Sequence, residues 1–359
     1  MLNRRDLLVQ MAGTAGVVLR PSILGDITPD GLRDIAARRG LVYGCAASTF
    51  ELRDAEFVLA LAREAGMLVA EYEMKRGIIE ETRGVYDFSA GDTLLAFARS
   101  HRMTLRGHAL VWHHKNPSWL EDALSSPRAE TLLTEYIAKV AGHFKGWLHS
   151  WDVVNEAIAP LDGRPDGLRN TLWLKRFGPE YIDIAYHAAR AADPTALLVY
   201  NDWGCEMGAP DNDRFRAATL DFLEAARGRG VPIDALGLQG HLAAFGPQVD
   251  QKKLAHFLDS IHAMGLKVFI TEHDVYDADG PMDIILRDRA VADSSRRFLD
   301  VVLNHGATIA VLTWGLSDRF IDPPSLRDQL IGRFPRQLPL DTSYRRKPMW
   351  NAMARALSS

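Results

Sequence analysis

The chain has 359 residues, of which 47 % are apolar and 25 % are charged, and its formal net charge is −4. This length suits one large α/β domain or two small ones, with enough apolar residues for a large core. The acidic balance, with no basic block or basic–aromatic patch, argues against nucleic acid as a partner. No nucleotide-binding glycine loop, C-x-x-C or H-E-x-x-H pattern occurs, so no cofactor or metal is predicted.

The N-terminal segment has the pattern of a targeting signal followed by a linker. Arg4 and Arg5 precede a weakly apolar, glycine-containing run that ends near Leu19. Paired arginines before such a run are typical of twin-arginine export signals. The alternative is a short amphipathic helix with a charged start, since no clear A-x-A cleavage site follows. We assign residues 1–26 to an export signal and linker and 27–359 to the folded domain. The sequence thus predicts a periplasmic or extracellular protein with no membrane segment in its mature form.

Beyond the linker, apolar runs of strand length alternate with amphipathic helical patterns. The predicted strands are 41–47, 67–74, 104–112, 150–157, 196–203, 235–242, 267–275 and 309–317. The clearest helical patterns are 54–65, 129–143, 180–192, 213–228 and 251–264. Such alternation is typical of βαβ units and a parallel sheet. Eight units predict an α/β fold, a single (β/α)8 TIM barrel. A doubly wound open sheet is disfavoured because no phosphate-binding glycine loop follows the first strand.

Polar and aromatic residues collect at the carboxyl ends of seven predicted strands. In a parallel barrel these ends meet on one face, where active sites are built. We therefore predict a site on this face. Its members are Glu71, Lys75, His108, Trp112, Asn155, Glu156, Asn201, Asp202, Gln239, His241, Glu272, Asp274 and Trp314.

Two glutamates stand out within this set. Glu156 and Glu272 each end an apolar run of strand length. Two glutamates that face each other across a sugar are the carboxyl pair that a glycosidase needs. Residues two apart on a strand share a face, so Asp274 is predicted to point the same way as Glu272. The alternative for either glutamate alone is a solvated loop residue.

The order and spacing of the motifs resemble the family 10 glycoside hydrolases, the endo-β-1,4-xylanase family, from about residue 32 to residue 357. The matching stretches are GHALVWH at 107–113, WDVVNEA at 151–157, YND at 200–202, GLQGH at 237–241, ITEHD at 270–274, TWG at 313–315 and YRRKP at 344–348. The resemblance implies a retaining endo-1,4-β-xylanase. One carboxyl group then protonates the leaving oxygen, and the other attacks the anomeric carbon.

Residue by residue, the resemblance makes Glu156 the acid/base and Glu272 the nucleophile. It implies that Asn155 hydrogen-bonds the sugar 2-hydroxyl and that His241, oriented by Asp274, holds Glu272 ionised. The other residues that it assigns to substrate binding are Glu71, Lys75, His108, Trp112, Gln239 and Trp314, with Asn201 in a supporting role. The expected partner is xylan or a xylo-oligosaccharide, and the protein is expected to be a monomer.

The sequence departs from the family pattern where neighbouring sugars bind. The family motif Glu-Asn-Glu-Met-Lys-Trp is EYEMKR here, so Tyr72 replaces an asparagine that helps bind the −2 sugar, and Arg76 replaces a tryptophan. Lys115 aligns with a glutamine, and Asp322 aligns with a tryptophan that roofs the −1 sugar. Arg76 and Lys115 are predicted either to meet an acidic side group, such as a glucuronosyl branch, or to be solvated surface cations.

Three hypotheses about function remain open at this point. The first is a retaining endo-1,4-β-xylanase. The second is a retaining glycosidase of the same architecture that acts on a different or decorated β-linked substrate. The third is a non-catalytic carbohydrate-binding barrel, against which the presence of both glutamates argues. The structural alternative for His108 and His241 is a buried core histidine, and for Trp112 and Trp314 a core aromatic residue.

Overall fold

The computed structural model describes residues 30–321, 323 and 325–359. The predicted export signal and linker, 1–26, lie outside the described residues, as does Asp322. No helix in the described part of the chain has the length and apolar character needed to cross a membrane.

The described residues form nine strands, all paired in parallel. They are β1 Val42–Ala47, β2 Met67–Ala70, β3 Thr104–Val111, β4 Ser150–Asn155, β5 Leu197–Asp202, β6 Ala235–Leu238, β7 His241–Ala243, β8 Lys267–Tyr276 and β9 Thr308–Thr313. Strands β1 to β6 pair in chain order, β6 pairs with β8, β8 with β9 and β9 with β1. Eight strands thus close into a barrel, and β7 extends the β8 edge. The predicted single (β/α)8 TIM barrel is confirmed.

Helices surround the barrel. They are α1 Leu32–Ala37, α2 Ala55–Glu64, α3 Arg76–Ile79, α4 Ser89–Ser100, α5 Leu120–Leu124, α6 Ala129–His143, α7 Leu172–Phe177, α8 Glu180–Ala192, α9 Pro210–Gly228, α10 Gln251–Ala263, α11 Ile284–Val302, α12 Leu326–Leu330 and α13 Pro348–Ser358. Three of the longer helices, α2, α10 and α11, begin after Asp54, Asp250 and Asp283. These side chains accept hydrogen bonds from backbone N–H groups of the first turn. Those donors have no partner within the helix, so the caps fix the helix starts.

The predicted helices are close to the observed ones, but several predicted strands are too long. The strand that begins at Met67 ends at Ala70 instead of residue 74, and β9 ends at Thr313 instead of residue 317. The run predicted as 235–242 is divided at Gly240, which has φ +78. A left-handed backbone conformation interrupts a strand, and glycine adopts this conformation without steric cost. Beyond these points the chain leaves the barrel to form the loops of the site.

The core has two layers because neighbouring strand residues face opposite ways. In β2, Met67 and Val69 belong to a small apolar cluster inside the barrel, whereas Leu68 and Ala70 belong to the larger cluster between the barrel and the helices. Polar side chains occupy the carboxyl end of the same interior. The apolar layers thus hold the strand ends in fixed positions below the site.

Candidate active site

Glu272 lies within β8 and is almost fully buried. Its Oε1 accepts a 2.7 Å hydrogen bond from Asn201 Nδ2, and its Oε2 lies 3.4 Å from His241 Nε2. Burial alone would raise the pKa of Glu272. The hydrogen bond from His241, the charges of His108 and His241 and the hydrogen bond from Asn201 outweigh burial and lower this pKa to about 2. Glu272 is therefore a carboxylate at neutral pH.

The His241 imidazole bridges Glu272 and a second carboxylate. Its Nδ1 lies 2.8 Å from Asp274 Oδ1. Glu272 and Asp274 are two residues apart on β8 and contact the same ring, so they share the face that the alternation predicts. Partial burial would lower the pKa of His241, but Asp274 and Glu272 raise it well above its ordinary value. A protonated imidazole between two carboxylates explains why Glu272 stays ionised.

Asn201, at the end of β5, connects both glutamates. Its Nδ2 donates to Glu272 and also to Asn155 Oδ1 at 2.9 Å, while its Oδ1 accepts a 2.6 Å bond from the Thr271 hydroxyl. These contacts fix the orientation of the amide. Its backbone carbonyl accepts from the Glu156 N–H at 2.9 Å. A displacement of Asn201 would thus affect both carboxyl groups.

Glu156 is the first residue after β4 and not, as predicted, part of that strand. It has φ +57, a left-handed conformation that is uncommon for a residue with a side chain. Arg169 Nε donates to its carbonyl at 2.7 Å and supports this turn. The carboxyl group accepts 3.0 Å bonds from Trp112 Nε1 and from Gln239 Nε2. Both donors are neutral, and the side chain is 15 % exposed.

His113 stands beside this glutamate, with Nε2 at 3.9 Å from Glu156 Oε2. Burial and the neighbouring His114 lower the pKa of His113 to about 4. It is therefore a neutral neighbour of Glu156 at pH 7. Across the described part of the chain, no three His, Cys, Asp or Glu side chains are grouped to hold a metal ion.

His108, from β3, is fixed by a buried charged pair that sequence reasoning missed. Its Nδ1 lies 3.0 Å from Asp152 Oδ2, and Asp152 also pairs with Arg106. Arg106 and His108 are two apart on β3 and share a face. A charged residue within an otherwise apolar strand is the signal that identifies Arg106 as a buried partner. The His108 ring lies 5.4 Å from that of Trp314, between centroids.

Lys75 is a buried cation with aromatic neighbours. Its Nζ lies 5.1 Å from the ring centroids of Tyr72 and Trp112 and 5.6 Å from that of Trp314. Burial lowers the pKa of Lys75, against the opposing charges of Glu272 and Glu71. Within the described residues its ammonium group makes no hydrogen bond or ion pair, so its donors are available to a bound molecule.

Two cavities border these residues, and they share no lining residue. The first, which we name the Tyr72 groove, has a volume of about 1060 Å³ and is lined by Tyr72, Glu71, Glu51, Glu73, Phe50 and Trp314. The second, the Glu156 pocket, has a volume of about 470 Å³ and is lined by Glu156, Gln239, His241, Trp203, Met207 and Asn212. Trp203, 41 % exposed, was not among the predicted site residues.

The structure corrects the prediction for Arg76. This side chain is neither solvated nor in the cleft: it is buried, and its Nη2 donates to Glu80 at 2.9 Å. Its guanidinium carbon lies 4.2 Å from the Tyr136 ring centroid. Arg76 is the first residue of α3, and its side chain packs against Tyr136 and Glu80 instead of lining the cleft beside Lys75. Lys115 is exposed, as a surface cation would be.

Comparisons with known proteins agree with this geometry. The sequence matches glycosyl hydrolase family 10 over residues 31–356. Endo-1,4-beta-xylanase B of Thermotoga neapolitana is 30 % identical over 328 residues, which cover 90 % of this chain and 90 % of that protein. Endo-1,4-beta-xylanase 1 of Humicola insolens is 30 % identical over 339 residues, covering 91 % of this chain and 74 % of that protein.

Solved structures give the same result. The crystal structure of xylanase 10B from Thermotoga petrophila in complex with xylobiose has a TM-score of 0.79 at 27 % identity, with 93 % of this chain and 98 % of that chain covered. Native xylanase 10B from Thermotoga maritima has a TM-score of 0.78 at 28 % identity, with 91 % and 98 % covered. With the fold, the carboxyl pair and a match across nearly all of the described residues, the chain belongs to glycosyl hydrolase family 10.

Proposed function

We propose that the protein is a retaining endo-1,4-β-xylanase, in which Glu272 is the nucleophile and Glu156 the acid/base. The observation that carries this proposal is the contrast between the two carboxyl groups. Glu272 is buried and held ionised by His241 and Asn201, whereas Glu156 is partly exposed and contacts only neutral donors. Xylan as the substrate is supported by the relatives, which are named xylanases, one of them bound to xylobiose.

In the first step, a Glu272 carboxylate oxygen forms a bond to the anomeric carbon. The bond from that carbon to the glycosidic oxygen breaks, and Glu156 gives its proton to the leaving oxygen. In the second step, Glu156 takes a proton from water, whose oxygen attacks the anomeric carbon and releases Glu272. Two inversions give net retention. The mechanism requires the two carboxyl groups to lie about 5–5.5 Å apart.

The remaining site residues position the sugar. Lys75 has free donors beside Glu272, and Asn155, next to Glu156, is aligned by Asn201 to meet a sugar hydroxyl. Trp112 and Trp314 supply flat apolar faces that suit the C–H faces of a sugar ring. A few directed polar groups within aromatic walls are typical of a specific small-molecule site.

Two measurements test this proposal. Release of reducing ends from xylan, β-glucan and β-mannan identifies the substrate, and we expect release from xylan. Proton NMR of the first product identifies the stereochemistry, and we expect the β-anomer to form first. An initial α-anomer would contradict the retaining mechanism. Hydrolysis of glucan or mannan without xylan would favour a related glycosidase, and no hydrolysis of any of the three would favour a binding protein.

We also propose that the protein is exported and acts as a monomer. Export rests on the paired arginines Arg4 and Arg5 before an apolar run. Changing both arginines to lysine should keep the protein in the cytoplasm, which cell fractionation measures. Light scattering after gel filtration should give the mass of a single chain, and the mass of a dimer would contradict the monomer.

A further inference from the structure

We infer that Tyr72 is a specificity-determining residue that weakens binding of a second sugar in the glycone half of the cleft, because its ring covers Lys75 and its side chain lines the same groove as Glu71. The glycone is the part of the substrate that keeps the anomeric carbon of the cleaved bond. Its first sugar, next to Glu272, then supplies most of the binding free energy of this part, and its second sugar adds little. This inference rests on the proposed function and concerns which xylan fragments are cleaved.

The direction of the substrate follows from the position of the acid. The residue that protonates the leaving oxygen must line the part of the cleft that holds the leaving group. Glu156 lines the Glu156 pocket, together with the exposed Trp203. The Tyr72 groove shares no lining residue with that pocket and adjoins the site through Trp314. The leaving group therefore occupies the Glu156 pocket, and the glycone extends into the Tyr72 groove.

Tyr72 stands at the entrance to this groove and is 47 % exposed. Its backbone N–H donates to Glu73 Oε2 at 3.2 Å, which fixes the turn that carries it. Its ring lies 5.1 Å from Lys75 Nζ and forms the outer wall of the aromatic surround of that ammonium group. The charge of Glu71, partial burial and a hydrogen bond to Glu71 raise the pKa of Tyr72 to about 12. The phenol therefore stays neutral at the pH of the assays below.

These contacts leave fewer hydrogen-bonding groups in the groove for a second sugar. Glu71 and Lys75 are the charged groups at the junction of groove and site, and charged groups make the stronger hydrogen bonds to hydroxyls. Tyr72 lies beside Glu71 in the groove lining and covers one side of Lys75 with its ring. A sugar that enters the groove must displace these contacts, so its net contribution to binding is small.

The test compares p-nitrophenyl β-xyloside, with one glycone sugar, and p-nitrophenyl β-xylobioside, with two. In the wild type we expect kcat/KM for the two to be similar. Tyr72→Asn should raise the xylobioside-to-xyloside ratio by about 3- to 10-fold, the effect of one recovered hydrogen bond. Tyr72→Phe should give a smaller rise, because it removes the hydroxyl from the groove but keeps the ring over Lys75. Tyr276→Asn, at an exposed tyrosine outside the groove lining, is the matched control and should leave the ratio unchanged.

An unchanged or lower ratio in Tyr72→Asn would overturn the inference, and a lower one would show that the ring is a stacking platform for the second sugar. Calorimetric titration with xylobiose gives an independent readout, and Tyr72→Asn should bind it more tightly. If the folded wild type hydrolyses neither glycoside and no xylan, the proposed function fails. Titration still decides the role of Tyr72 in that case: tighter binding supports it, and equal or weaker binding overturns it.

Discussion

The two glutamates of the site share a hydrogen-bonded neighbour but have opposite surroundings. Glu272 is buried in β8 and receives its contacts from a protonated imidazole and an amide, which keep it ionised. Glu156 lies on a left-handed turn after β4, is 15 % exposed and receives only neutral donors. This contrast in surroundings supports the proposed roles, with Glu272 as the nucleophile and Glu156 as the proton donor.

The largest effect on activity is expected from removing either carboxyl group. Glu156→Ala and Glu272→Ala should each abolish nearly all xylan hydrolysis, because each removes a group that the reaction requires. On a dinitrophenyl xyloside, whose leaving group needs little protonation, azide should restore turnover in both, since it is a small nucleophile that fits the vacated space. The Glu156 variant should give the β-glycosyl azide and the Glu272 variant the α-glycosyl azide, as identified by NMR.

Circular dichroism and thermal melting serve as the control, and both variants should remain folded. Products with the anomers exchanged would reverse the two roles. Ordinary activity in either variant would remove that glutamate from the mechanism.

A smaller effect, on pH dependence, is expected from His241→Asn. The pKa of Glu272 is lowered to about 2, so the wild type should keep its nucleophile ionised as the pH falls until it approaches that value. Without the imidazole only His108 and Asn201 still lower the pKa of Glu272, so they offset less of the rise that burial causes. The acid limb of kcat/KM should therefore move to higher pH by about 1–3 units.

The matched control is His305→Asn, at a histidine that pairs with the exposed Asp259 on the outside of the barrel. Its acid limb should match that of the wild type. If His241→Asn also leaves the limb in place, Glu272 is held ionised by something other than the imidazole.

A more modest effect is expected on the Glu156 side from Gln239→Leu. It removes one neutral hydrogen bond to the carboxyl group, so kcat/KM on xylan should fall by about 3- to 10-fold. A dinitrophenyl xyloside needs little protonation of its leaving group and should be affected less. The control is Gln248→Leu, whose exposed amide donates to Gly246 O. An equal loss on both substrates would show that Gln239 binds the sugar and does not orient the acid.

The smallest effect on turnover is expected from changes to the buried pair Arg76–Glu80, which does not line the cleft. Arg76→Met leaves the buried Glu80 without its partner and should lower the free energy of unfolding by about 3–5 kcal/mol, measured in urea. The double change Arg76→Met with Glu80→Leu should recover most of that loss, because no buried charge remains. Turnover per folded molecule should change little in the double variant. A selective loss on glucuronoxylan relative to linear xylan would instead place Arg76 in contact with the branch.

The fold and the members of the site were predictable because both depend on local patterns. The alternation of strand and helix periods predicts the barrel, and polar residues at the ends of apolar runs must meet on one face once the strands are parallel. Glu272 and Asp274 share a side for the same local reason. The ends of the strands were not predictable, because apolar residues such as Met74 and Leu316 are also buried in the loops beyond them.

Arg76 illustrates the limit of sequence reasoning. An arginine next to Lys75 on an amphipathic turn has the same local pattern whether it faces the cleft or the core. Its burial depends on Glu80, four residues away, and on the rings of Tyr136 and Trp173. These two rings approach Arg76 only when the barrel closes. Burial of an arginine is favourable only when such partners are present.

The sequence alone determined the barrel, the face that carries the site and the two glutamates, because these follow from periodicity and from residues near one another in the chain. Tertiary structure alone decided how the glutamates differ. Asn201 is 71 residues from Glu272, and Gln239 is 83 residues from Glu156. Contacts over such distances exist only when closure of the sheet brings separate strand ends together. The hydrogen bonds formed there keep Glu272 ionised and give Glu156 its neutral donors.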